Sequence, residues 1–321
     1  MKVFEKLFPI RKLLDKKTRS TLFILSFTLP ILLWCAVSYL PFLWHPMVSI
    51  TNTGDVSYFK KEMLVKRKVF EAENKRMQTK GLQQAQGYRS NPIYLPQPHA
   101  VVVSLVKSFT TPPRRRGNPW LHESLLHSIK IILLGFLISS IIGVPLGILC
   151  GTYSFFNSLT APFIEYFRYL PAPVFGALAV AILGINDGPK IAIIVIGTFF
   201  QQVLVIANTT SKLNSSLIEA AQTLGASNLT ILKTIIIPGT LPDIYKDMRI
   251  LLGWAWTYLV VAEVIGTSTG ITWFINQQAK YRNFEQVYAA IIIIGVIGLL
   301  SDQLLAYIGR KIFKEQAIQE I

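Results

Sequence analysis

The sequence is poor in charge and in cysteine, and both shortages limit what the chain can be. Only 15% of its 321 residues are charged, whereas 51% are hydrophobic. Such a composition is typical of membrane proteins. The two cysteines, Cys35 and Cys150, lie in apolar stretches, where a thiol behaves as a small hydrophobic group. They therefore say little about the redox compartment, and neither is a candidate metal ligand.

Acidic residues are also scarce, since 17 Asp and Glu stand against 32 Lys and Arg and leave a formal net charge of +15. An excess of this size raises the question of nucleic-acid binding. The basic residues, however, flank apolar segments and do not form one surface with interleaved aromatic residues. Their distribution is typical of the charges that border membrane spans.

Two catalytic signatures are missing as well. No Gly-x-x-x-x-Gly-Lys-Ser/Thr sequence occurs, so the chain has no Walker-type phosphate-binding loop and no ATPase site of its own. The best metal-like cluster is HESLLH, which places His122 and His127 five residues apart. Two ligands on one helix face need a spacing of four. We interpret these residues as loop or interface histidines, and we predict neither a metal nor a cofactor.

Six apolar segments are present, and each is long enough to cross about 30 Å of hydrocarbon. The first is too long for a signal-peptide core and is followed by no small-x-small cleavage site, so we interpret it as a retained span. The sequence therefore predicts an all-α membrane protein with six transmembrane helices. The segments are residues 21–44, 129–150, about 166–185, 189–208, 250–266 and 288–308.

The basic residues also predict an orientation. Residues 1–20 carry seven Lys and Arg just before the first span, which by the positive-inside tendency predicts a cytoplasmic amino terminus. Six crossings return the tail, residues 311–321, to the same side. The loop 45–127 is then external, and residues 128–310 form a core of five spans with a cytoplasmic loop at 211–248. The external loop is itself basic, but long loops cross largely regardless of charge.

The external loop divides into two parts. Residues 56–80 are rich in charge and free of helix breakers, which predicts an exposed helix ended by Gly81. Residues 91–119 contain most of the loop's prolines and are predicted to be irregular. The basic helix has two interpretations: a face against solvent or lipid headgroups, or a docking surface for a partner.

The predicted cytoplasmic loop contains the stretch EAAQTLGASNLTILKTIIIP, which looks like two capped helices. Ser216 and Glu219 have the spacing of a capping box. Gly225 supplies the left-handed residue that ends the first helix. Ser227 is placed to cap a second helix, and Pro238 to stop it. We call residues 216–238 the signature segment.

Each predicted helix of the signature segment has an apolar stripe on one face. Both helices are shorter than the dozen or so residues that an isolated helix needs in water, so tertiary contacts must hold them. We therefore expect this segment to fit into a groove. The two stripes consist of Leu217, Ala221 and Leu224, and of Leu229, Leu232 and Ile236.

The signature segment resembles the conserved cytoplasmic loop of bacterial ABC importer permeases. The shared pattern is Glu-Ala-Ala, three residues, Gly, nine residues, Ile, one residue, an aliphatic residue and Pro. Ile237 stands where Leu is usual. The ATPase-coupling residues that the resemblance implies are Glu219, Ala220, Ala221, Leu224, Gly225, Ala226, Ile235 and Pro238.

Other stretches are similar to the nitrate, sulfonate, taurine and bicarbonate branch of that family. Two departures stand out: residues 45–90 look like an insertion, and Gln202 occupies a position where a proline is expected. The similar stretches are LPQPHAV (95–101), GVPLGILCG (143–151), GINDGPK (184–190), ANTT (207–210), RILLGWAW (249–256) and VVAEVIGTSTGITWFI (260–275).

The resemblance implies a type I importer permease fold in the bacterial inner membrane. It also implies a homodimer, two copies of a cytoplasmic ATPase, and an external substrate-binding protein. In such importers the loop's helix inserts into a cleft on the ATPase. The cargo would be a small anion such as nitrate, a sulfonate or bicarbonate, or else a small nutrient such as a pyrimidine precursor. An energy-independent channel and a membrane scaffold are the rival classes.

Polar residues within the predicted spans are candidates for the translocation pathway. A charge at the centre of a span costs about 2.5 to 3.5 kcal/mol, so Glu263 should face water or the bundle interior. It lines a cavity in one interpretation and bonds to nearby amides in the other. Gln201, Gln202 and Asn208 either contact a polar solute or hydrogen-bond between helices. Asp302, near the inner end of the last span, is interpreted as structural.

Overall fold

The computed structural model describes residues 14–113, 117–265 and 269–313. Five helical segments in this part are long and apolar enough to cross a membrane, and one bent helix pair is a sixth candidate. The predicted helical membrane fold with up to six spans is therefore confirmed. The five segments are Lys16–Tyr39, Leu121–Thr152, Gly188–Ser211, Asn228–Ile265 and Phe284–Ile312.

The third predicted span, residues 166–185, is wrong as a single straight helix. The chain forms one helix over Ser154–Arg168 and a second limb over Ala172–Leu183, and the two limbs meet at 87°. Pro171 lies in the break with φ −61°. A proline disfavours helical geometry in the residue before it, so the helix ends there. The two limbs together make the sixth candidate span.

The described chain forms two compact units. The first contains the residues up to Lys107 together with Ala279–Ala289. Its first helix exposes nearly all of its apolar side chains, as a lipid-facing span does. The elements that begin in this unit are α1 (Lys16–Tyr39), β1 (Met47–Asn52), β2 (Leu64–Lys66), α2 (Arg67–Thr79), β3 (Gln86–Ser90) and α3 (Pro98–Thr110).

Residues 47–90 contain a three-stranded antiparallel sheet, in the order β2-β1-β3, which the sequence analysis did not predict. Met47 on the central strand pairs with Lys66 on one side and Ser90 on the other. The helix expected over 56–80 begins only at Arg67, because the preceding residues form turns and β2. Glu62 has φ 66°, a left-handed conformation that interrupts a helix. The insertion is thus a small α/β layer with its own core, made of Ile50, Val56, Phe59, Val65, Met77 and Ala85.

The irregular structure predicted for residues 91–119 is also partly wrong, because α3 lies within that range. Its first residue is Pro98. A proline is tolerated at the first position of a helix, where no backbone N–H is needed for an intrahelical bond. The prolines therefore mark where this helix starts and do not prevent it.

The second unit contains Ser108–Gln278 and the chain from Ala290 onward. A π-turn, Leu232–Ile236, joins two of its helices without a break. The remaining helices of the chain are α4 (Leu121–Thr152), α5 (Ser154–Arg168), α6 (Gly176–Leu183), α7 (Gly188–Ser211), α8 (Ser215–Thr223), α9 (Asn228–Ile231), α10 (Ile237–Ile265), α11 (Ile271–Lys280) and α12 (Phe284–Ile312).

Helices α4 and α7 pack closely because α4 presents glycines to its neighbour. A Cβ atom added at Gly147 would lie 2.8 Å from the Cβ of Ile206, so no larger residue fits there. Close backbone approach through small residues is a general way in which membrane helices associate. Gly135, Gly143 and Gly151 of α4 are equally close to α7.

Candidate functional site

The first helix of the signature segment, α8, begins and ends with well-formed caps. The predicted capping box of Ser216 and Glu219 is wrong, because the side chain of Asn214 accepts the bond from the Ser216 N–H at 3.0 Å. Because Asn214 is the N-cap, the helix begins at Ser215, earlier in the chain than the capping box predicted. At the other end Gly225 has φ 77°, and the next N–H, of Ala226, donates to the Ala221 carbonyl at 3.0 Å. This is a Schellman cap, so the predicted end is confirmed.

The second helix starts as predicted and ends elsewhere. The Ser227 side chain accepts a bond from the Thr230 N–H at 3.3 Å, which confirms the cap. Pro238 does not stop the helix, because the chain continues through the π-turn into α10 and ends only at Ile265. The wider turn comes directly before the proline, whose ring lacks an N–H, and lets the helix continue. The second helix is therefore the first part of a long helical segment, Asn228–Ile265, and not a separate short helix.

The apolar stripe of α8 has no partner among the described residues. Not one residue of α8 is buried, and Leu224 just after it is 88% exposed. Leu217 is exposed as well. The stripe of the second helix is covered in part, since Ile236 is buried and Leu232 packs against the cluster around Ile206. Leu229, at the start of the second helix, is 56% exposed. The exposed apolar surface of this segment therefore covers α8, its cap and the beginning of the second helix.

The other predicted coupling residues lie on the same exposed segment or beside it. Glu219 is exposed, and its carbonyl accepts a bond from the Thr223 hydroxyl at 2.9 Å. Its side chain is therefore available on the outer surface of α8. Ala220 and Pro238 are exposed as well, whereas Ala221, Ala226 and Ile235 are half-buried.

Glu263 lies near the end of α10, and its buried side chain, with 2% of the residue surface exposed, reaches the beginning of α11. One carboxylate oxygen accepts a bond from the Ser128 hydroxyl, and the other accepts the Thr272 N–H at 2.7 Å. Ser128 in turn accepts the Ile271 N–H at 2.8 Å. The first N–H groups of a helix have no intrahelical partner. Two other helices supply those partners here, because the residue before α11, Gly270, has no side chain.

The position of Gly270 shows how closely the carboxylate fits. Its φ is 108°, and an added Cβ atom would lie 2.2 Å from a Glu263 carboxylate oxygen. Only glycine allows both the backbone conformation and the close approach. Of the two interpretations of Glu263, the observed geometry is that of bonds to nearby amides. We call Glu263, Ser128, Gly270 and Thr272 the buried carboxylate cluster.

The three polar residues predicted on α7 occupy different environments. Gln202 is fully buried, accepts a bond from Ser139 at 2.8 Å and donates one to Ser140 at 3.2 Å. It therefore lies between α7 and α4, as in the interhelical interpretation. Gln201 is half-buried and Asn208 is exposed. Gln201 and Asn208 are therefore more accessible to a solute than the enclosed Gln202.

A second polar cluster was not singled out from the sequence. Lys190 in α7 is fully buried, and its Nζ donates to Asp187 at 3.1 Å and to the Thr269 hydroxyl at 2.9 Å. His127, considered above as a metal ligand, contacts the same Asp187 oxygen at 3.0 Å. The available signal was a lysine three residues after an aspartate at the start of an apolar helix.

Asp187 lies just before the span Gly188–Ser211 and carries the charge that balances Lys190. Burial by itself would raise the pKa of the Asp187 carboxyl. The hydrogen bond and charge of Lys190, followed by those of His127, outweigh burial and lower that pKa below its usual value. The carboxylate therefore stays ionised and holds the buried ammonium group.

Asp302 has the structural role expected for it. Both of its carboxylate oxygens accept bonds from the Arg249 guanidinium, at 3.1 and 3.0 Å. This two-point contact joins α10 to α12. A planar guanidinium fork matches a carboxylate in this way and fixes orientation as well as distance.

The second unit therefore combines apolar helices of membrane-spanning length, charges that are satisfied between those helices, and an exposed apolar segment with caps at both ends. Together these features define a multi-span membrane protein with an exposed, capped apolar helix. The chain belongs to the family of binding-protein-dependent transport system inner membrane components, whose model matches residues 143–314. It is a permease subunit of an ABC importer, and the resemblance noted from the signature segment is confirmed.

Individual relatives agree with this assignment. A probable ABC transporter permease protein of Brucella abortus (strain 2308) is 32% identical over 62% of this chain and 80% of its own length. The taurine transport system permease protein TauC of Escherichia coli (strain K12) is 29% identical over 69% of this chain and 80% of its own length. The match to a taurine permease agrees with the branch indicated by the sequence.

The fold also matches a solved structure, a crystal structure of an amino acid ABC transporter with histidines. The TM-score is 0.52 at 20% identity, and the match covers 65% of this chain and 97% of that chain. A match at this identity supports the fold and says nothing about the cargo.

Proposed function

We propose that two copies of this chain form the translocation pathway of the importer. Two cytoplasmic ATPase subunits and one extracytoplasmic substrate-binding protein complete the complex. This arrangement follows the family to which the chain belongs, whose members work with a binding protein. The basic amino terminus and the carboxyl-terminal tail are both cytoplasmic in this proposal, because an even number of spans separates them.

The ATPase contact is assigned to α8 and its cap. The observation that supports this assignment is the 88% exposure of Leu224 directly before Gly225. A leucine at the end of a rigid, capped helix can enter an apolar cleft with little loss of backbone entropy, because the caps already fix the chain. Glu219, on the exposed surface of the same helix, would lie at the edge of that contact.

The test replaces Leu224 by glutamate and measures co-purification with the ATPase subunit. The side chain has almost no contacts in the chain, so Leu224→Glu should fold normally and lose the ATPase. Leu82→Glu is the matched control, because Leu82 is also an exposed leucine, 46% accessible, but lies in the other unit. Gly225→Asp should also reduce the complex, since it strains the left-handed cap. Normal ATPase retention by Leu224→Glu would refute the assignment.

Orientation is tested separately by chemical labelling. A cysteine placed at Ser216, in a variant without the two native cysteines, should react with a membrane-impermeant reagent only in inverted vesicles. A cysteine at Lys60 in the insertion should react only in intact spheroplasts. Labelling of position 216 from outside would overturn both the orientation and the coupling proposal.

The proposed cargo is a small anion such as nitrate, a sulfonate like taurine, or bicarbonate. The support is the similarity to a taurine permease together with the overall positive charge of the chain. We assign solute contact to Gln201 and Asn208, which have the open positions, and a positioning role to the enclosed Gln202 and Glu263. Uptake of labelled taurine, nitrate and bicarbonate by cells expressing the complete complex tests the class.

The rival class, an energy-independent channel, makes a different prediction for the same preparation. Proteoliposomes with the whole complex should accumulate cargo only when ATP is supplied on the ATPase side. Flux of equal rate without ATP would favour the channel.

A further inference from the structure

The first unit contains a half-open cavity of about 560 Å³ to which no role has been assigned above. This volume lies in the range of about 300 to 1,000 Å³ that is usual for small-molecule sites. Its wall is largely apolar and is formed by the starts of β1 and α2, by β2, and by the connections that follow α1, β3 and α11. The wall residues that matter below are Pro46, Leu64, Pro92, Ile93 and Tyr94.

Four basic residues line this cavity, and all four are exposed: Lys66, Arg67, Lys68 and Arg282. Arg67 is neutralised by Glu71, whose carboxylate lies 2.6 Å away. The other three form no salt bridge with any residue in the described ranges. An apolar cavity with three uncompensated cations at its edge favours a ligand with one anionic and one apolar part.

Arg282 supports this interpretation through its backbone. It has φ 56° in the connection between α11 and α12, a conformation that glycine or asparagine adopts more readily. Its N–H donates to the Ala279 carbonyl at 2.9 Å, which fixes the turn after α11, and its exposed side chain lines the cavity.

The cavity lies where the chain enters and leaves the membrane. Pro46 follows the end of α1 at Tyr39 by seven residues, and Arg282 precedes the start of α12 at Phe284 by two. Both helices are candidate spans. Aromatic rings cluster here as they do at membrane interfaces, with the rings of Tyr94 and Trp44 at 6.3 Å. The nearness of both span ends favours a position for the cavity at the depth of lipid headgroups.

We propose that this cavity binds one anionic phospholipid. Its phosphate contacts Lys66, Lys68 and Arg282, and the glycerol and the first carbons of its acyl chains pack against Leu64, Ile93 and Tyr94. A small hydrated anion would gain nothing from the apolar wall, and a zwitterionic phospholipid would bring its own ammonium group close to the three cations, which repels them. The inference concerns the first unit alone and does not depend on the coupling or cargo proposals.

The first experiment measures lipid binding by native mass spectrometry of the purified full-length chain. Phosphatidylglycerol and phosphatidylcholine with identical acyl chains are titrated after stringent delipidation. Wild-type protein should retain the first phosphatidylglycerol at least about ten-fold more tightly, because each cation near an anionic headgroup contributes roughly a factor of five. Equal retention of the two lipids would overturn the proposal.

The charge variants locate the site. Lys68→Gln together with Arg282→Gln should weaken the first phosphatidylglycerol by about 25-fold, on the scale of five-fold per cation. The matched control is Lys60→Gln with Lys61→Gln, which removes the same charge from exposed residues of the same unit that do not line the cavity. If the control weakens binding as much as the Lys68→Gln and Arg282→Gln variant does, the lipid is attracted by the overall positive charge of the unit. The cavity is then not the site.

A second variant tests the apolar wall with every charge in place. Ile93 is a turn residue that is 44% exposed, so the fold should tolerate Ile93→Trp. The larger tryptophan side chain should fill part of the cavity. Binding of the first phosphatidylglycerol should fall several-fold. Unchanged binding would show that the lipid lies elsewhere. Competition separates lipid from a soluble phosphate: complete displacement of the lipid by glycerol 3-phosphate at equal concentration would also overturn the proposal.

Discussion

The buried carboxylate cluster and the signature segment, both in the second unit, place their side chains in opposite ways. In the cluster a carboxylate is 2% exposed among apolar helices. In the signature segment a leucine is 88% exposed. Burial of a charge and exposure of an apolar group are both unfavourable by themselves. The two regions differ in which groups offset this unfavourable free energy.

Glu263 is compensated within its own chain, because Ser128 and Thr272 donate to it and the N-terminus of α11 favours a negative charge. Leu224 has no such compensation in the described residues, and Leu217 and Ala220 on α8 are exposed as well. The comparison teaches that an enclosed polar group need not be a transport site. An unpartnered apolar group on a capped helix, in contrast, supports the proposed contact with the ATPase subunit.

The largest expected loss of stability follows from Glu263→Ala. The substitution leaves the Thr272 N–H and the Ser128 hydroxyl without their acceptor in a buried place, which should cost about 3 kcal/mol. Glu263→Gln keeps the side-chain length and one acceptor oxygen, so its loss should be clearly smaller. The measurement is thermal unfolding of the purified protein in detergent. Equal melting temperatures for wild type and Glu263→Ala would contradict the structural role.

The second prediction concerns the fit around the carboxylate. Gly270→Ala introduces a Cβ atom 2.2 Å from Glu263 and also strains φ 108°, so we expect a loss of about 2 kcal/mol from overpacking. Gly253→Ala in α10 is the matched control, since an added Cβ atom there has no neighbour within 4 Å. The control should be neutral or slightly stabilising in a helix. If both variants unfold at the same temperature, the close approach has no energetic weight.

The third prediction uses the Asp187 and Lys190 pair, which is partly open to solvent. Lys190→Met should cost about 1 kcal/mol, because the exposed Asp187 carboxylate can turn to water when its partner is removed. Thermal unfolding at neutral pH measures this loss.

The same pair predicts a pH dependence. The Asp187 pKa in the folded protein lies below its usual value, so the unfolded chain takes up the proton first as the pH falls. Wild type should therefore lose stability as the pH decreases below about 4, the ordinary aspartate pKa. In Lys190→Met the folded pKa rises again and this acid-dependent loss should shrink. An identical pH profile for the two proteins would contradict the assignment.

The smallest effect is expected in the signature segment. Leu224→Ala should change the unfolding free energy by less than about 0.5 kcal/mol, as exposed substitutions usually do. The same variant should weaken ATPase binding measurably. A large loss of stability in the isolated chain would mean that Leu224 packs within its own subunit, and the contrast between the two regions would disappear.

Sequence reasoning succeeded where the cause is local. The left-handed Gly225 and the cap at Ser227 follow from the conformational preferences of one or two residues, and both are present. It failed where two local signals competed. Asn214 starts α8 in place of Ser216, since both residues are good caps and the sequence alone does not rank them. The helix does not end at Pro238, because a π-turn precedes it, and composition does not predict that turn.

The insertion was the least predictable region. Its charge-rich composition indicated one long helix, yet β2 and the turns before it take the first part of that range. Strand pairing depends on partners such as Met47 with Lys66 that lie far apart along the chain. Short strands of three to six residues carry too weak a pattern to be recognised before their partners are known.

The sequence by itself determined the membrane class, the family and two caps of the signature segment, at Gly225 and Ser227, because apolar run length, motif spacing and cap chemistry are all local properties. Tertiary structure decided which polar residues are enclosed. Glu263 bonds to an amide nine residues away and to a hydroxyl 135 residues away, and Lys190 reaches Thr269 across 79 residues. Only packing of the helices brings such groups together, and their burial then requires each to find its partner.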